Sequence, residues 1–78
     1  MNFAEHIKEL ATLIARVMSI NEQALTDELI TELFQTEQLV ETRIKTIETD
    51  LLPSATAEET HLFTILKTQF LDLVDFKG

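Results

Sequence analysis

Residues 51–59 read LLPSATAEE, and this stretch decides the fold because it holds the only proline and the clearest helix boundary of the chain. Pro53 is expected to end the helix before it, since the residue preceding a proline is pushed out of the α region. Thr56 and Glu59 then match a capping box, in which each side chain accepts a hydrogen bond from the other residue's backbone N–H. The stretch therefore predicts one helix that ends near Pro53 and another that begins after Thr56.

The rest of the chain lacks the residues that make tight turns. Its only glycine is Gly78, and Leu, Glu, Gln, Ala and Lys dominate the composition. A β-rich domain needs many turns, which Gly and Pro supply, whereas the dominant residues favour helices. We therefore expect an all-α fold and a single helical domain over residues 1–78. It would be a three-helix bundle or a helical hairpin with a long middle helix, as a monomer or a dimer.

Two helices are predicted before Pro53. Asn2 and Glu5 resemble a capping pair, and apolar residues then recur in steps of three and four, as on one face of a helix. This face comprises Phe3, Ile7, Leu10, Ile14 and Val17, widened by Leu13 and Met18. The first helix should fade near residues 19–22, and Thr26 is a good N-cap for the second. The link contains no Gly or Pro, so a break, a kink and a continuous helix all remain open.

The apolar spacing also predicts the core. In the second helix the spaced residues are Leu29, Leu33, Val40, Ile44, Ile47 and Leu51, and in the third helix they are Leu62, Phe63, Leu66, Phe70, Leu73 and Val74. Lys77 and Gly78 look like the end of the third helix. We expect five of these residues to be almost fully buried: Leu33, Val40, Ile44, Leu66 and Phe70.

Charge excludes several kinds of partner. Six basic and 14 acidic side chains give a net charge of −8, and residues 21–50 carry eight acids against two bases. So few cations cannot neutralise many phosphates, which argues against nucleic-acid binding. Strictly apolar runs reach only three residues, far short of a membrane span. With Glu5, Lys8 and Glu9 near the start in place of an apolar signal, we expect a cytoplasmic protein with no membrane partner.

Residues that could support catalysis or bind a cofactor are few. The absence of Cys excludes thiolate chemistry, and no Gly-rich loop is present to bind phosphate. Glu58 and His61 have the Glu-x-x-His spacing of di-iron bundles, but those need two such pairs and two more glutamates. These two residues and His6 are more simply read as exposed polar side chains. We expect no enzyme activity, no cofactor and no metal.

The acidic pairs of the second helix have the same simple interpretation. Glu28 with Glu32 and Glu37 with Glu41 lie on or near its polar side. Acid–base catalysis requires a desolvated carboxyl group, which an acidic solvated face does not offer. The acidity serves solubility or attracts a basic partner.

Large apolar residues of the second helix fall outside its main apolar stripe. With Val40 as the centre and 100° per residue, Phe34 lies near 120° and Leu39 near −100°. Phe34 continues from Ile30 as a second stripe, with Glu37 and Glu41 beside it. Such a face usually packs on another helix of the bundle, on a second subunit or on a bound protein. We name Ile30, Phe34, Glu37, Leu39 and Glu41 as candidate protein-binding residues.

The same region carries a family resemblance. Residues 27–44, DELITELFQTEQLVETRI, resemble the central helix of small FliT-type flagellar export chaperones. In that family a helix of the form L-x-x-L-L-x-x-R follows a break after the first helix, and a proline-containing link leads to the last helix, as around Pro53 here. Glu37 stands where that pattern has its arginine. The resemblance implies an acidic-leaning helical bundle that holds a flagellar subunit before its export.

These observations favour a non-enzymatic protein-binding module. Its most concrete form is a small bacterial export chaperone or regulator that binds a partner helix in an apolar groove. The alternative is a structural homodimer, in which the second apolar stripe of the long helix is used for self-association.

Overall fold

The structure is a computed structural model that describes the backbone of residues 2–77 and the side chains of residues 2–74. This part of the chain forms three α-helices and no strand: α1 (Phe3–Asn21), α2 (Asp27–Thr46) and α3 (Ala57–Lys77). The prediction of an all-α fold is therefore confirmed. Gly78, named in the prediction of the last helix end, lies outside the described residues.

Side-chain caps fix where the helices begin. Asn2 Oδ1 accepts a hydrogen bond from Glu5 N at 2.9 Å, and Thr26 Oγ1 accepts one from Leu29 N at 3.2 Å. The capping box before α3 forms in full: Thr56 N donates to Glu59 Oε1 at 2.9 Å, and Glu59 N donates to the Thr56 hydroxyl at 3.1 Å. The Thr26 cap also settles the question left open by the sequence, because α1 and α2 are separate helices.

The end of the second helix differs from the prediction. The α-helix stops at Thr46, and a π-helical turn, Ile47–Leu51, and a 3₁₀ turn, Leu52–Ser54, follow it. Leu52 precedes the proline yet keeps helical angles, φ −58° and ψ −37°, so the expected departure from the α region at this residue is wrong. The chain becomes extended only at Ala55, where ψ is 150°.

The π turn has a packing consequence. Its i→i+5 hydrogen bond, from Leu52 N–H to Ile47 O, encloses one more residue than an α-helical bond. The chain therefore rotates less per residue, which brings both Leu51 and Leu52 against the core. The α-helical segment of α2 has 20 residues against 21 in α3, and the π turn continues the middle helix for five more residues, so the expected long middle helix is present.

α1 lies at the centre of the bundle. It packs against both α2 and α3, whereas α2 and α3 contact each other sparsely. Arg16 of α1 pairs with Glu32, near the start of α2, and Glu9 pairs with Arg43, near its end, so these helices are antiparallel. Met18 of α1 and Gln69 of α3 line the same cleft, which places the C-terminal halves of these helices side by side. The topology is up-down-up, so the bundle is preferred to the hairpin.

The core lies where the three helices meet. Its buried apolar residues are Ile7, Leu10, Ile14, Val17, Ile20, Leu33, Val40, Ile44, Ile47, Phe63 and Phe70. Burial was correctly predicted for Leu33, Val40, Ile44 and Phe70. Thr36, which the sequence did not single out, is buried as well, and its hydroxyl donates to Glu32 O at 2.8 Å.

The prediction fails on the third helix. Leu66 is only half-buried, and Leu62 is 47% exposed. Because α3 packs mainly on α1, its fully buried strip is narrow and contains Phe63 and Phe70, seven residues apart. Met18, expected to widen the buried face of α1, is exposed for a similar reason, since it lies at the outer edge of the α1–α3 contact.

Candidate protein-binding surfaces

The candidate residues of α2 lie on two separate surfaces. Steps of four, three and four residues place Ile30, Phe34, Glu37 and Glu41 in one line along the helix, which we call the Phe34 row. Leu39 is five residues from Phe34, a rotation of about 140° at 100° per residue, so it faces away from that row. The structure therefore does not bring all five predicted residues together.

Two apolar side chains of the Phe34 row reach solvent. Phe34 is 61% exposed and Ile30 is 36% exposed. Both lie within α2, so backbone hydrogen bonds of the helix hold them in place. Phe34 is therefore not packed against the first helix, so that alternative is wrong. Phe34 therefore presents an exposed aromatic ring on a regular helix.

The other end of the Phe34 row is acidic. Glu37 is half-buried, and Glu41 is exposed and forms no side-chain hydrogen bond or ion pair with the described residues. The same line reaches Glu48 in the π turn, seven residues beyond Glu41, where Lys67 Nζ of α3 lies 2.6 Å from Glu48 Oε2. The surface thus changes along the helix from apolar to acidic.

Leu39 lines a different surface, an open groove between α1 and α2, which we call the Leu39 groove. It has a volume of about 750 Å³. Leu39 is 56% exposed, and Leu13 of α1 lies across from it. The remaining lining residues are Glu5, Lys8, Glu9, Thr12, Thr42, Arg43 and Thr46.

Arg43 closes one part of the Leu39 groove through contacts with α1. Its guanidinium donates to Glu9 Oε2 at 2.6 Å, and His6 Nδ1 lies 3.0 Å from its other terminal nitrogen. Since arginine has only donors, the histidine nitrogen accepts this hydrogen bond. The sequence suggested polar, solvated roles for His6 and Glu9 but did not reveal that Arg43 joins them. That contact depends on how α1 and α2 pack.

A third surface was missed from the sequence. Leu62 and Ile65 of α3 are exposed, as is Met18 of α1. Met18 lines a cleft of about 290 Å³ together with Gln69, Asp72 and Leu73. On α3, steps of three and four residues place Leu62 and Ile65 on the same helix face as Gln69 and Asp72. Leu62 and Met18 had been assigned to the buried face, and their exposure could be found only once α3 was placed against α1.

Residues considered for chemistry are dispersed. Glu58 and His61 are both exposed, and Glu32 pairs with Arg16 rather than with Glu28. Residues 2–74 contain no cluster of three or more His, Asp or Glu side chains placed to hold a metal ion. In the same described part of the chain, no helix combines the length and apolar character required to cross a membrane.

The Phe34 row and the Leu39 groove both combine apolar and charged side chains. The Phe34 row offers an aromatic ring and an isoleucine beside carboxylates, and the Leu39 groove offers two leucines inside a charged rim. Comparison of the chain with models of known protein families, with curated proteins and with solved structures finds no match.

Proposed function

We propose that this protein is a non-enzymatic binding module that holds a helix of another protein along α2, with Phe34 as the central contact. The exposure of Phe34 carries the proposal. A phenylalanine that keeps 61% of its surface in water contributes little to its own fold. Aromatic side chains in that position often supply a large share of the binding energy of an interface, about 2 kcal/mol or more.

The accessible surface of the chain supports the same proposal. It measures 5369 Å². A folded monomer of 8.9 kDa is expected to have about 4,800 Å². The chain therefore exposes about 550 Å² more surface than that expectation, and its exposed apolar residues include Phe34, Leu39 and Leu62.

In its most concrete form, the proposal is a small bacterial export chaperone or regulator of the flagellar type that acts in the cytoplasm. This form depends on the likeness of residues 27–44 to the central helix of that family. The helix order, the break before α2 and the proline link before α3 agree with the layout of the family.

A photo-crosslinking amino acid at position 34 tests the proposal in living cells. Position 35, Gln35, is a matched control because it is exposed on the same helix and points about 100° away. We expect position 34 to crosslink to a distinct protein and position 35 to crosslink far less. Equal crosslinking from both positions would contradict a defined binding surface around Phe34.

Self-association is a second candidate function, favoured by the apolar surface of Met18, Leu62 and Ile65. These residues carry no charge, and Asp72 is the acidic residue that lines the cleft beside Met18, so two copies could meet there with less repulsion than the net charge of −8 implies. Sedimentation over a wide concentration range separates the two candidates. A stable dimer whose mass falls to one chain after Ile65→Glu would support self-association, whereas a monomer at high micromolar concentration would exclude it.

A further inference from the structure

We infer that the segment bound along the Phe34 row is amphipathic and basic, with an apolar anchor and a Lys or Arg about two helical turns further along. This inference rests on the proposed function and adds the chemistry of the partner. It follows from the order of side chains in the row: apolar at Ile30 and Phe34, acidic at Glu37 and Glu41. Phe34 and Glu41 are seven residues apart, a separation of roughly 10 Å along the helix.

The structure contains one example of this recognition. Lys67 of α3 lies with its ammonium nitrogen 2.6 Å from Glu48, the acid that continues the line of the row beyond Glu41. Although α3 contacts α2 only sparsely, it therefore already places a lysine against the acid that continues this line. The exposed carboxylate of Glu41, two turns nearer to Phe34, offers the same kind of contact to a helix from another protein.

A second copy of this chain does not suit the Phe34 row. If two α2 helices meet antiparallel about Phe34, Glu41 faces Asp27 of the other copy. If they meet about the point midway between Ile30 and Phe34, Glu37 faces Asp27. A parallel arrangement places each acid against itself. Like charges in direct opposition disfavour each of these arrangements, while a basic segment gains the corresponding attraction.

The absence of Trp and Tyr from the chain makes a direct test simple. The probe is a synthetic helical peptide with one Trp as the anchor and two Lys residues centred seven positions away. One control peptide has Glu in place of Lys. Another moves the two Lys residues by two positions, onto the opposite side of the peptide helix. All fluorescence from Trp then reports the peptide alone.

We expect the basic peptide to bind about tenfold or more tightly than the acidic one at low salt, with the difference shrinking as salt is added. The peptide with displaced Lys residues should bind at an intermediate strength. Glu41→Gln should weaken the basic peptide about two- to fivefold. Asp72→Asn, the matched control, removes one exposed charge on another face and should change binding less than Glu41→Gln.

Phe34→Ala separates specific from nonspecific binding. It should weaken the basic peptide at least tenfold; unchanged affinity would mean that net charge alone attracts the peptide and would overturn the inference. If the parent protein binds the basic and acidic peptides with equal affinity and Phe34→Ala loses both, the inference about charge is overturned but the proposed function stands. Binding of no peptide, or a dimer that Phe34→Ala dissociates, would overturn both.

Discussion

Replacing Phe34 by alanine, alongside the same replacement of Phe70, distinguishes a surface aromatic residue from a core one. Full burial of a phenylalanine contributes about 1.5–3 kcal/mol. Because Phe34 is 61% exposed, its folding contribution is about two fifths of that, roughly 0.6–1.2 kcal/mol. Alanine also has the higher helix propensity and returns up to about 0.5 kcal/mol. The expected loss of unfolding free energy is therefore at most about 1 kcal/mol.

Phe70 gives the contrast. It is 2% exposed and, together with Phe63, anchors α3 in the core. Its truncation to alanine should cost about 3–5 kcal/mol, through lost burial and the cavity left behind. For a domain of this size about 1 kcal/mol shifts the melting temperature by roughly 4–8 °C. Phe34→Ala should thus melt within about 8 °C of the parent, and Phe70→Ala should melt far lower or fail to fold.

Circular dichroism measures both effects, since the protein is helical and has no Trp to follow. Urea and thermal unfolding of the two variants and the parent give the free energies. A loss of about 3 kcal/mol or more for Phe34→Ala would refute the reasoning, because a side chain so exposed cannot contribute that much to one chain's fold. The same loss in a sample that is dimeric would instead place Phe34 in a subunit interface, so the mass is measured on each sample.

Other predictions follow from the packing of α3 and its boundaries. Leu66→Ala should cost below about 2 kcal/mol, less than Phe63→Ala, because Leu66 is half-buried while Phe63 is 2% exposed; equal losses in urea unfolding would contradict this. Thr56→Ala should cost about 1 kcal/mol, most of it recovered with Ser at this position, and an unchanged melting curve would show that the capping box contributes nothing. Glu48→Gln should cost at most about 1 kcal/mol because its pair with Lys67 is exposed, and a loss that persists in high salt would argue against an ionic origin.

Local signals in the sequence predicted most of the fold. The caps at Asn2, Thr26 and Thr56 form as expected, because a cap depends on residues only three positions apart. Most buried residues of α1 and α2 were also predicted, since these helices pack along each other; on α1 the exceptions are Met18, which is exposed, and Ile20, which is buried. Helical spacing is enough when a partner covers the stripe fully.

The errors occur where one helix is only partly covered. Spacing assigned Leu62 and Leu66 to the core, but it cannot tell how many neighbours a helix has. α3 packs mainly on α1, so among its described side chains, those of residues 57–74, only Phe63 and Phe70 are fully buried. The π turn was missed for a different reason. The rule for residues before a proline describes the backbone preference of one residue. The π turn instead replaces the α-helical hydrogen bonding of a whole turn, from Ile47 onwards.

The sequence predicted individual candidate residues of the site but not the surfaces to which they belong. A helical wheel of α2 alone places Phe34 and Leu39 outside the main apolar stripe, and both side chains are exposed in the structure. It cannot show that Leu13 of α1 faces Leu39 across a groove, or that Lys67 of α3 reaches the acid beyond Glu41. Both facts depend on contacts between residues far apart in the sequence.

The chemistry of each surface restricts what can occupy it. The Phe34 row combines an exposed ring with carboxylates, so an acidic copy of the same chain is disfavoured there and a basic segment is favoured. Met18, Leu62 and Ile65 are uncharged, but the acidic residue Asp72 lines the cleft beside Met18, so the penalty for a second copy is reduced there and not removed. Because the row is on α2 and these three residues are on α1 and α3, occupation of one surface need not block the other. A dimer of this protein would therefore be compatible with partner binding, and the two proposed functions exclude each other only if both use Phe34.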